Sequence, residues 1–480
     1  MNNCLCAKKF NCITASIIHT CLIFLAFRCY KIDISCIFVC QMYIMSWMVK
    51  FQSYFFLSVA FLLGSVAPLY GNVFNFLLLI FVLLLWWKNG KQVWTNLMSE
   101  RLYIGVNVAF LLYFSLHTII VLLKGNPIAK PSYGTFEALA LNFVLVPIFV
   151  VTWKDWLTPA LVKRFLFYFC VGSLLLNLYI LLMITGTRLF TAPGEALGML
   201  YDNRFGENRI VLGSKYWLEV QAMLLAVSAL ITYFLTIIEK RWNRKICVIC
   251  MFWMFVLFLS FTVTKSAIFG FLLGFLVMNI YLFKKFSFWR RVWVFGGTLL
   301  VVLTFVLLSD LKKYEERIEE MEIEMRNVRD GQFVGGTLAP RLAFIKESFK
   351  HLDEFSLWGL GVMTKHRIKA WYEASDLNIA QFNNVNNAFL QYWITGGIVG
   401  LSVILFVFFA SIYRMIKRKK FSFLILAIIC VFLVVSNSCV TLSWANSRAL
   451  MLIFFAMFYF YGDIFFQLEN DLSRDKPSSI

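Results

Sequence analysis

The sequence predicts an all-α polytopic membrane protein, and three observations carry that expectation. Hydrophobic residues make up 61% of the chain and charged residues 15%, with a mean hydropathy of +0.76. A soluble globular chain is nearer half apolar and a quarter charged. Apolar windows of the length a spanning helix needs, about 20 residues, recur along nearly the whole chain. The short loops between alternate windows are basic, the pattern of segments retained in the cytoplasm during insertion.

The first 50 residues differ in texture. Seven of the 12 cysteines crowd into the first forty positions, beside two weaker apolar runs at roughly 11–28 and 33–48. The stretch 1–50 reads as an extension that adds up to two helices, or as sequence preceding a true start at Met45 or Met48 rather than Met1. A cleaved signal peptide fits less well, since no small-residue cleavage site follows the first run. Cys247 and Cys250 lie inside an apolar run, where a small buried hydrophobe is the expected role.

From Phe51, twelve spans are expected at about 51–70, 72–87, 104–123, 134–152, 164–186, 217–238, 245–263, 266–284, 292–309, 387–412, 421–443 and 447–467. The organisation is then a nine-helix region over 51–309, a large extracytoplasmic loop over 310–385, three last spans over 386–467 and a cytoplasmic tail over 468–480. Basic residues fall in every short loop assigned to the inside: Lys88, Lys91 and Arg101; Lys154, Lys163 and Arg164; Lys240, Arg241, Arg244 and Lys245; Lys284, Lys285, Arg290 and Arg291; and Arg414, Lys417, Arg418, Lys419 and Lys420. That distribution also accounts for the formal charge of +19, which marks cytoplasmic loops rather than a nucleic-acid partner.

Two loops on the opposite side are long. The first, about 187–216, holds Glu195, Asp202, Arg204, Glu207, Arg209 and Lys215. The second opens with Leu311, Tyr314, Ile318, Met321, Met325 and Val328 at three- and four-residue spacing, an amphipathic helix. Glu315, Glu316, Glu319, Glu320, Glu322 and Glu324 are expected largely on its polar side. It is either a solvated extension of the preceding span or a lid. Gly331, Gly335 and Gly336 end it, and Pro340 suits the first turn of a further helix, about Pro340–Leu352, with Arg341 at its start.

Soluble-enzyme motifs are missing: no P-loop, Rossmann glycine pattern, H-E-x-x-H or G-x-S-x-G occurs. The four histidines, at 19, 117, 351 and 366, are too scattered to suggest a metal site, and no cofactor is expected. What remains are charges that the bilayer should exclude. Lys265 stands between two spans, and Arg448 begins the last one. Each either snorkels to the outer interface or, together with Arg341, forms a set of cations suited to a diphosphate. Asn383, Asn384, Asn386 and Asn387 gather at the lip of a membrane helix, where capping accounts for one or two of them. Gly396, Gly397 and Gly400 follow, spaced for close helix packing.

These segments together resemble the O-antigen ligase and Wzy polymerase superfamily of bacterial surface-polysaccharide assembly. Thr262-Val263-Thr264-Lys265-Ser266 is similar to the family's T-x-[ST]-R-[SGA] turn, with Lys for Arg. Arg341 to Ile345, then Gly359-Leu360-Gly361, match in part an R-x-x-x-aromatic helix followed by G-x-G. Asn386 stands at the His of H-N-x-x-L, with Asn387, Leu390, Gly397 and Gly400 in register, and Trp444 to Arg448 is similar to the start of the ligases' final helix. The resemblance, over roughly Trp217 to Phe466, implies a metal-independent membrane glycosyltransferase working on the periplasmic face of the bacterial inner membrane. Its donor is an undecaprenyl-diphosphate-linked glycan within membrane lipid, and a chain-length regulator protein is a further implied partner. Arg341, Lys265 and Asn386 take catalytic positions, and Asn387, Arg448, Arg204, Arg209 and Lys215 substrate-binding ones. Lysine at 265 keeps charge but loses the bidentate fork of arginine, and Asn386 cannot serve as a base. Either Glu207, Glu347, Glu373, Asp376 or His366 removes the proton, or the acceptor needs only positioning. A repeat-unit polymerase is the expected branch. A ligase to lipid A-core or protein is the alternative, and a polysaccharide transporter or flippase, with internal repeats and broken helices at mid-membrane, is the third.

Overall fold

A computed structural model describes residues 53–123, 143–154, 156–192, 194–195, 218–262, 264–285, 288–308, 311–333 and 338–474. The extension 1–50, and with it the cysteine-rich segment, lies outside the described residues. Among these residues the regular structure is helical throughout. In chain order the helices are α1 (Ser53–Ser65), α2 (Gly71–Ser99), α3 (Arg101–Leu123), α4 (143–151), α5 (Pro159–Thr185), α6 (Leu218–Ile238), α7 (Trp242–Thr262), α8 (Lys265–Lys285) and α9 (Phe288–Leu308). After them come α10 (Leu311–Arg329), α11 (Ala339–Lys350), α12 (Thr364–Glu373), α13 (Ala388–Arg418), α14 (Phe423–Ser438) and α15 (Ala445–Arg474).

Seven of the described helices are long and apolar enough to cross a membrane, eight if bent α2 is one span. Ser53–Ser65, Phe295–Phe305 and Phe423–Ser438 are shorter apolar helices. Each of the twelve expected windows thus meets helix, and among the described residues length and composition by themselves support seven or eight spans. Helix α15 continues through Arg474, so residues 468–474 of the expected tail 468–480 are helix. Cys247 and Cys250 are exposed on α7, facing outward from the bundle instead of into it.

Helix ends follow local chemistry. Thr158 accepts from Leu161 N at 3.3 Å to cap α5, with Pro159 at the first position. Ser422 caps α14, and the buried Glu469 carboxylate adds bonds from Phe423 N and Leu424 N, both at 3.2 Å. Polar pairs cross the apolar interior, as the low dielectric requires for any buried polar group. Gln221 donates to Asn177 at 2.8 Å and Ser228 to Ser173 at 3.0 Å between α5 and α6.

Small residues set the register of the helices under the site. A Cβ at Gly270 would lie 3.1 Å from Val431 Cα, and one at Gly274 would lie 2.7 Å from Ala427 O, so α8 and α14 pack antiparallel at backbone contact. The Gly274 position also touches Leu230 Cδ1, and Tyr233 Oη donates to Asn279 Oδ1 at 2.5 Å, so α6 and α8 run parallel.

Candidate functional site at the loop end of the bundle

The turn joining α14 to α15 is the hub of the site. Cys439 leaves α14 in extended conformation, Thr441–Ser443 makes one 3₁₀ turn, and Trp444 leads into α15. Ser436 and Thr441 hydroxyls bond at 2.7 Å, Ser447 Oγ donates to Thr441 O, and Tyr392 Oη donates to Leu442 O at 3.2 Å. Arg448 Nη2 donates to Ser443 O at 2.9 Å. The residue is 1% exposed, and its Nε and Nη1 have no hydrogen-bond partner among the described residues. It does not snorkel: the guanidinium is held inside the protein with two nitrogens unused. Burying a charge this way is costly unless an anion arrives to pair with it.

Asn387 proves to be the cap of α13. Its Oδ1 accepts from Leu390 N at 3.0 Å, while its Nδ2 donates to Asn437 O at 3.3 Å and Oδ1 at 3.4 Å. Both ends of the amide are therefore engaged, and they tie α13 to the end of α14. Asn386, just before it, has a left-handed backbone with φ 48°, which asparagine tolerates better than most residues. Its N–H donates to Asn384 Oδ1 at 3.1 Å, and its side chain is half-buried. Lys265 opens α8 and is exposed. The antiparallel register of Gly270 with Val431 sets it level with Ser436, one position before the Asn437 that Asn387 holds. Lys265, Asn386, Asn387 and the 439–444 turn thus share one end of the bundle.

Arg341 reaches the same place from the loop. It is the third residue of α11 and half-buried. Burial pushes the Cys439 thiol well up. The charge of Glu219 raises it further while that of Arg341 lowers it, so both charges lie within electrostatic range of the turn.

The loop is folded rather than loose. Phe344, Phe355, Ile368, Trp371, Tyr372, Ile379 and Val385 pack with Leu390 and Ile394 of α13 into one apolar cluster. Phe344 stacks on Tyr372, and Trp393 Nε1 donates to Ser356 O at 3.0 Å. Helix α10 differs from its expected orientation. Glu324 is 6% exposed and its Oε1 accepts from Leu338 N at 2.6 Å and from Ala339 N, whereas Met321 and Met325 are 46% and 51% exposed. A carboxylate among the orphan amides at the start of α11 satisfies backbone donors and the helix dipole together. That gain outweighs burial of the methionines.

The glycines after the asparagines do more than allow close packing. Gly397, at φ 58° and ψ −148°, breaks α13. The freed Ile394 O accepts from Leu360 N at 2.8 Å, and the freed Ile398 N donates to Leu357 O at 3.2 Å. The Gly359-Leu360-Gly361 turn, with φ of 70° and 55° at its glycines, inserts into that break. A Cβ at Gly359 would strike the Gly396–Gly397 backbone, and one at Gly397 would strike Leu357 O. Tyr113 Oη of α3 donates to Trp358 O at 2.6 Å and secures the turn from the other side.

The expected proton acceptors do not converge here. Glu347 is engaged by Lys350 Nζ at 2.7 Å and Ser375 Oγ at 2.9 Å. Glu373 pairs with Lys369 at 3.5 Å, and His366 and Asp376 are exposed on the loop. Glu207, Arg204, Arg209 and Lys215 lie outside the described residues. Glu219 at the start of α6 belongs to no motif in the sequence, because nothing there discloses which helix end meets the 439–444 turn. Among the described residues, no group of three or more His, Cys, Asp and Glu side chains is placed to hold a metal ion.

The arrangement offers a buried cation, two further cations at the same end and a folded loop pinned above them, which is chemistry for holding a large anionic substrate. No curated protein matches the chain. Residues 249–405, which include Lys265, Arg341, Asn386, Asn387 and the Gly397 break, match the family model described as O-Antigen ligase, and that match supports the resemblance to the O-antigen ligase and Wzy superfamily.

Proposed function

We propose that this protein is a membrane glycosyltransferase that polymerises oligosaccharide repeat units carried on a polyprenyl diphosphate, and that the loop end of the bundle is its periplasmic face in the bacterial inner membrane. The carrying observation is Arg448, buried at 1% exposure with Nε and Nη1 unpartnered among the described residues. A diphosphate supplies the oxygens those nitrogens lack, and its negative charge grows as it leaves. Lys265 and Arg341 contribute further charge at the mouth, with Arg204, Arg209 and Lys215 proposed to bind the donor glycan or its carrier. Asn386 orients the acceptor, and Asn387 supports it by capping α13 and holding Asn437.

In the proposed reaction an acceptor hydroxyl oxygen attacks the anomeric carbon of the donor sugar. The bond from that carbon to the diphosphate oxygen breaks, and its electron pair leaves with the polyprenyl diphosphate. The donor brings its own activated bond, so no nucleotide sugar enters. The ligase reading shares this chemistry and differs in acceptor; the description of the matched family, O-Antigen ligase, favours it. Asparagine at 386, where the resemblance expects histidine, favours the polymerase.

The surface glycan of a deletion strain separates them. Loss of a polymerase leaves lipopolysaccharide bearing single repeat units, loss of a ligase leaves it bare, and an unchanged ladder overturns both readings. A flippase predicts instead that lipid-linked repeat units accumulate on the cytoplasmic face.

A further inference from the structure

The proposed transfer requires that a proton leave the acceptor hydroxyl, and asparagine at 386 cannot take it. Two helix registers, taken together, set Glu219 at the height of that residue. In parallel α6 and α8, Leu230 touches Gly274 and Tyr233 bonds Asn279, offsets of 44 and 46 residues, which set Lys265 level with positions 221 and 219 respectively. In antiparallel α8 and α14, Gly270 against Val431 sets Lys265 level with Ser436. The first turn of α6, the first residue of α8 and the end of α14 therefore meet at one height. Asn437, at that height, is held by Asn387, the neighbour of Asn386. The influence of both Glu219 and Arg341 on the Cys439 thiol agrees with this placement. Glu219 is half-buried, so it is both shielded and reachable. Of the carboxylates described on the loop, Glu347 is consumed by Lys350 and Ser375 and Glu373 pairs with Lys369.

We infer that Glu219 is the general base of the transfer, accepting the acceptor hydroxyl proton while Lys265, Arg341 and Arg448 hold the departing diphosphate. The inference rests on the polymerase reading and names the residue that completes it. The oxygen–carbon bond forms, the carbon–diphosphate bond breaks, and the proton passes from the hydroxyl to the Glu219 carboxylate and then to water. Lys265 on α8 and Arg341 on α11, at the same end of the bundle, draw the leaving charge away from the base.

The test uses full-length protein in detergent or nanodiscs, with the polyprenyl-diphosphate-linked oligosaccharide extracted from a deletion strain serving as both donor and acceptor. The readout is polyprenyl diphosphate released, measured by mass spectrometry. Positioned general bases contribute about 10²–10⁴-fold, so Glu219→Gln should lower kcat by roughly 100-fold or more with little change in KM. Its residual rate should lose the fall on acidification that the wild type shows. Glu219→Asp, which keeps the carboxylate with a shorter reach, should retain part of the rate at equal abundance and melting temperature. A Glu219→Gln enzyme as fast as wild type overturns the assignment, as does one whose rate still falls with acid like the wild type. Equal loss in the Gln and Asp variants also overturns it. Wild-type protein that releases no polyprenyl diphosphate overturns the polymerase reading on which the inference rests, a result distinguishable from all of these.

Discussion

The two ends of the bundle handle charge in opposite ways. At the basic-loop end, cations meet carboxylates. Glu100 takes a bidentate bond from Arg414 at 2.9 and 3.1 Å and a third contact from Lys154 at 3.3 Å, while Arg414 also lies 4.5 Å over the Tyr459 ring. Lys163 pairs with Glu239 at 2.9 Å, and Arg418 and Lys420 share Asp463 at 2.6 and 3.7 Å. At the loop end, among the described residues, the buried cation Arg448 has one carbonyl partner and two idle nitrogens. Charges at the first end close the structure upon itself, binding α13 to the α2–α3 junction and to α15. The second end keeps a charge in reserve, and a protein bears that cost where something else is to be bound.

The sharpest way to break this comparison is to replace one arginine at each end with methionine. Arg448→Met removes a buried, underpartnered charge while keeping volume, so the melting temperature should hold or rise while glycan transfer falls by roughly 100-fold or more, the usual weight of one charge-stabilising donor. Arg414→Met should do the reverse. Stranding the Glu100 carboxylate should cost about 1–3 kcal/mol, with activity per folded molecule unchanged. Thermal melts and turnover on the same preparations decide it, and parallel losses in both variants would erase the distinction between the two ends.

Next in size comes the Gly397 break. Gly397→Ala must place a side chain at φ 58° and against Leu357 O, a strain of about 1–3 kcal/mol before the clash is counted. The 357–361 turn should leave α13, seen as faster hydrogen exchange at Leu360 and Ile398, and transfer should fall although no proposed substrate contact has changed. Unaltered exchange would mean that the loop is held elsewhere.

Smallest is the response of the loop to acid. Burial pushes the Glu347 carboxyl up, but hydrogen bonds and charges from Lys350, Ser375 and His351 outweigh it and hold the group below its usual 4.5. A depressed carboxylate contributes stability that is present above the unfolded value and lost as pH falls through the folded one. Tryptophan fluorescence of the loop, through Trp371 and Trp393, should therefore change below about pH 4.5. Glu347→Gln should flatten that dependence, whereas salt-bridge variants at the opposite end should leave it unmoved.

Much of this architecture is legible in the residue order, and what is not has a physical reason. Apolar runs such as Leu218–Ile238 and Trp242–Thr262 declare themselves, because a helix in lipid needs only length and hydropathy. Arg448 stands out as a charge in such a run, yet its burial does not, since snorkelling and enclosure share one sequence. Glu324 looks solvated by periodicity; only the chain folding back through Leu338 and Ala339 makes it a cap. Gly397 reads as a packing glycine until the Gly359-Leu360-Gly361 turn, distant in sequence, satisfies the atoms it frees. Glu219 is unreadable for the same cause: its neighbours are fixed by the register of α6, α8 and α14. Local chemistry can be read directly, whereas contacts between distant segments wait for the fold.

The central claim is that the loop end is a site for a lipid-linked diphosphate built around Arg448. The most direct measurement is the surface-glycan ladder of a deletion strain complemented with the Arg448→Met variant at wild-type abundance. The account predicts lipopolysaccharide carrying single repeat units and no long chains, beside a full ladder from the wild-type gene. A full ladder from Arg448→Met would contradict it.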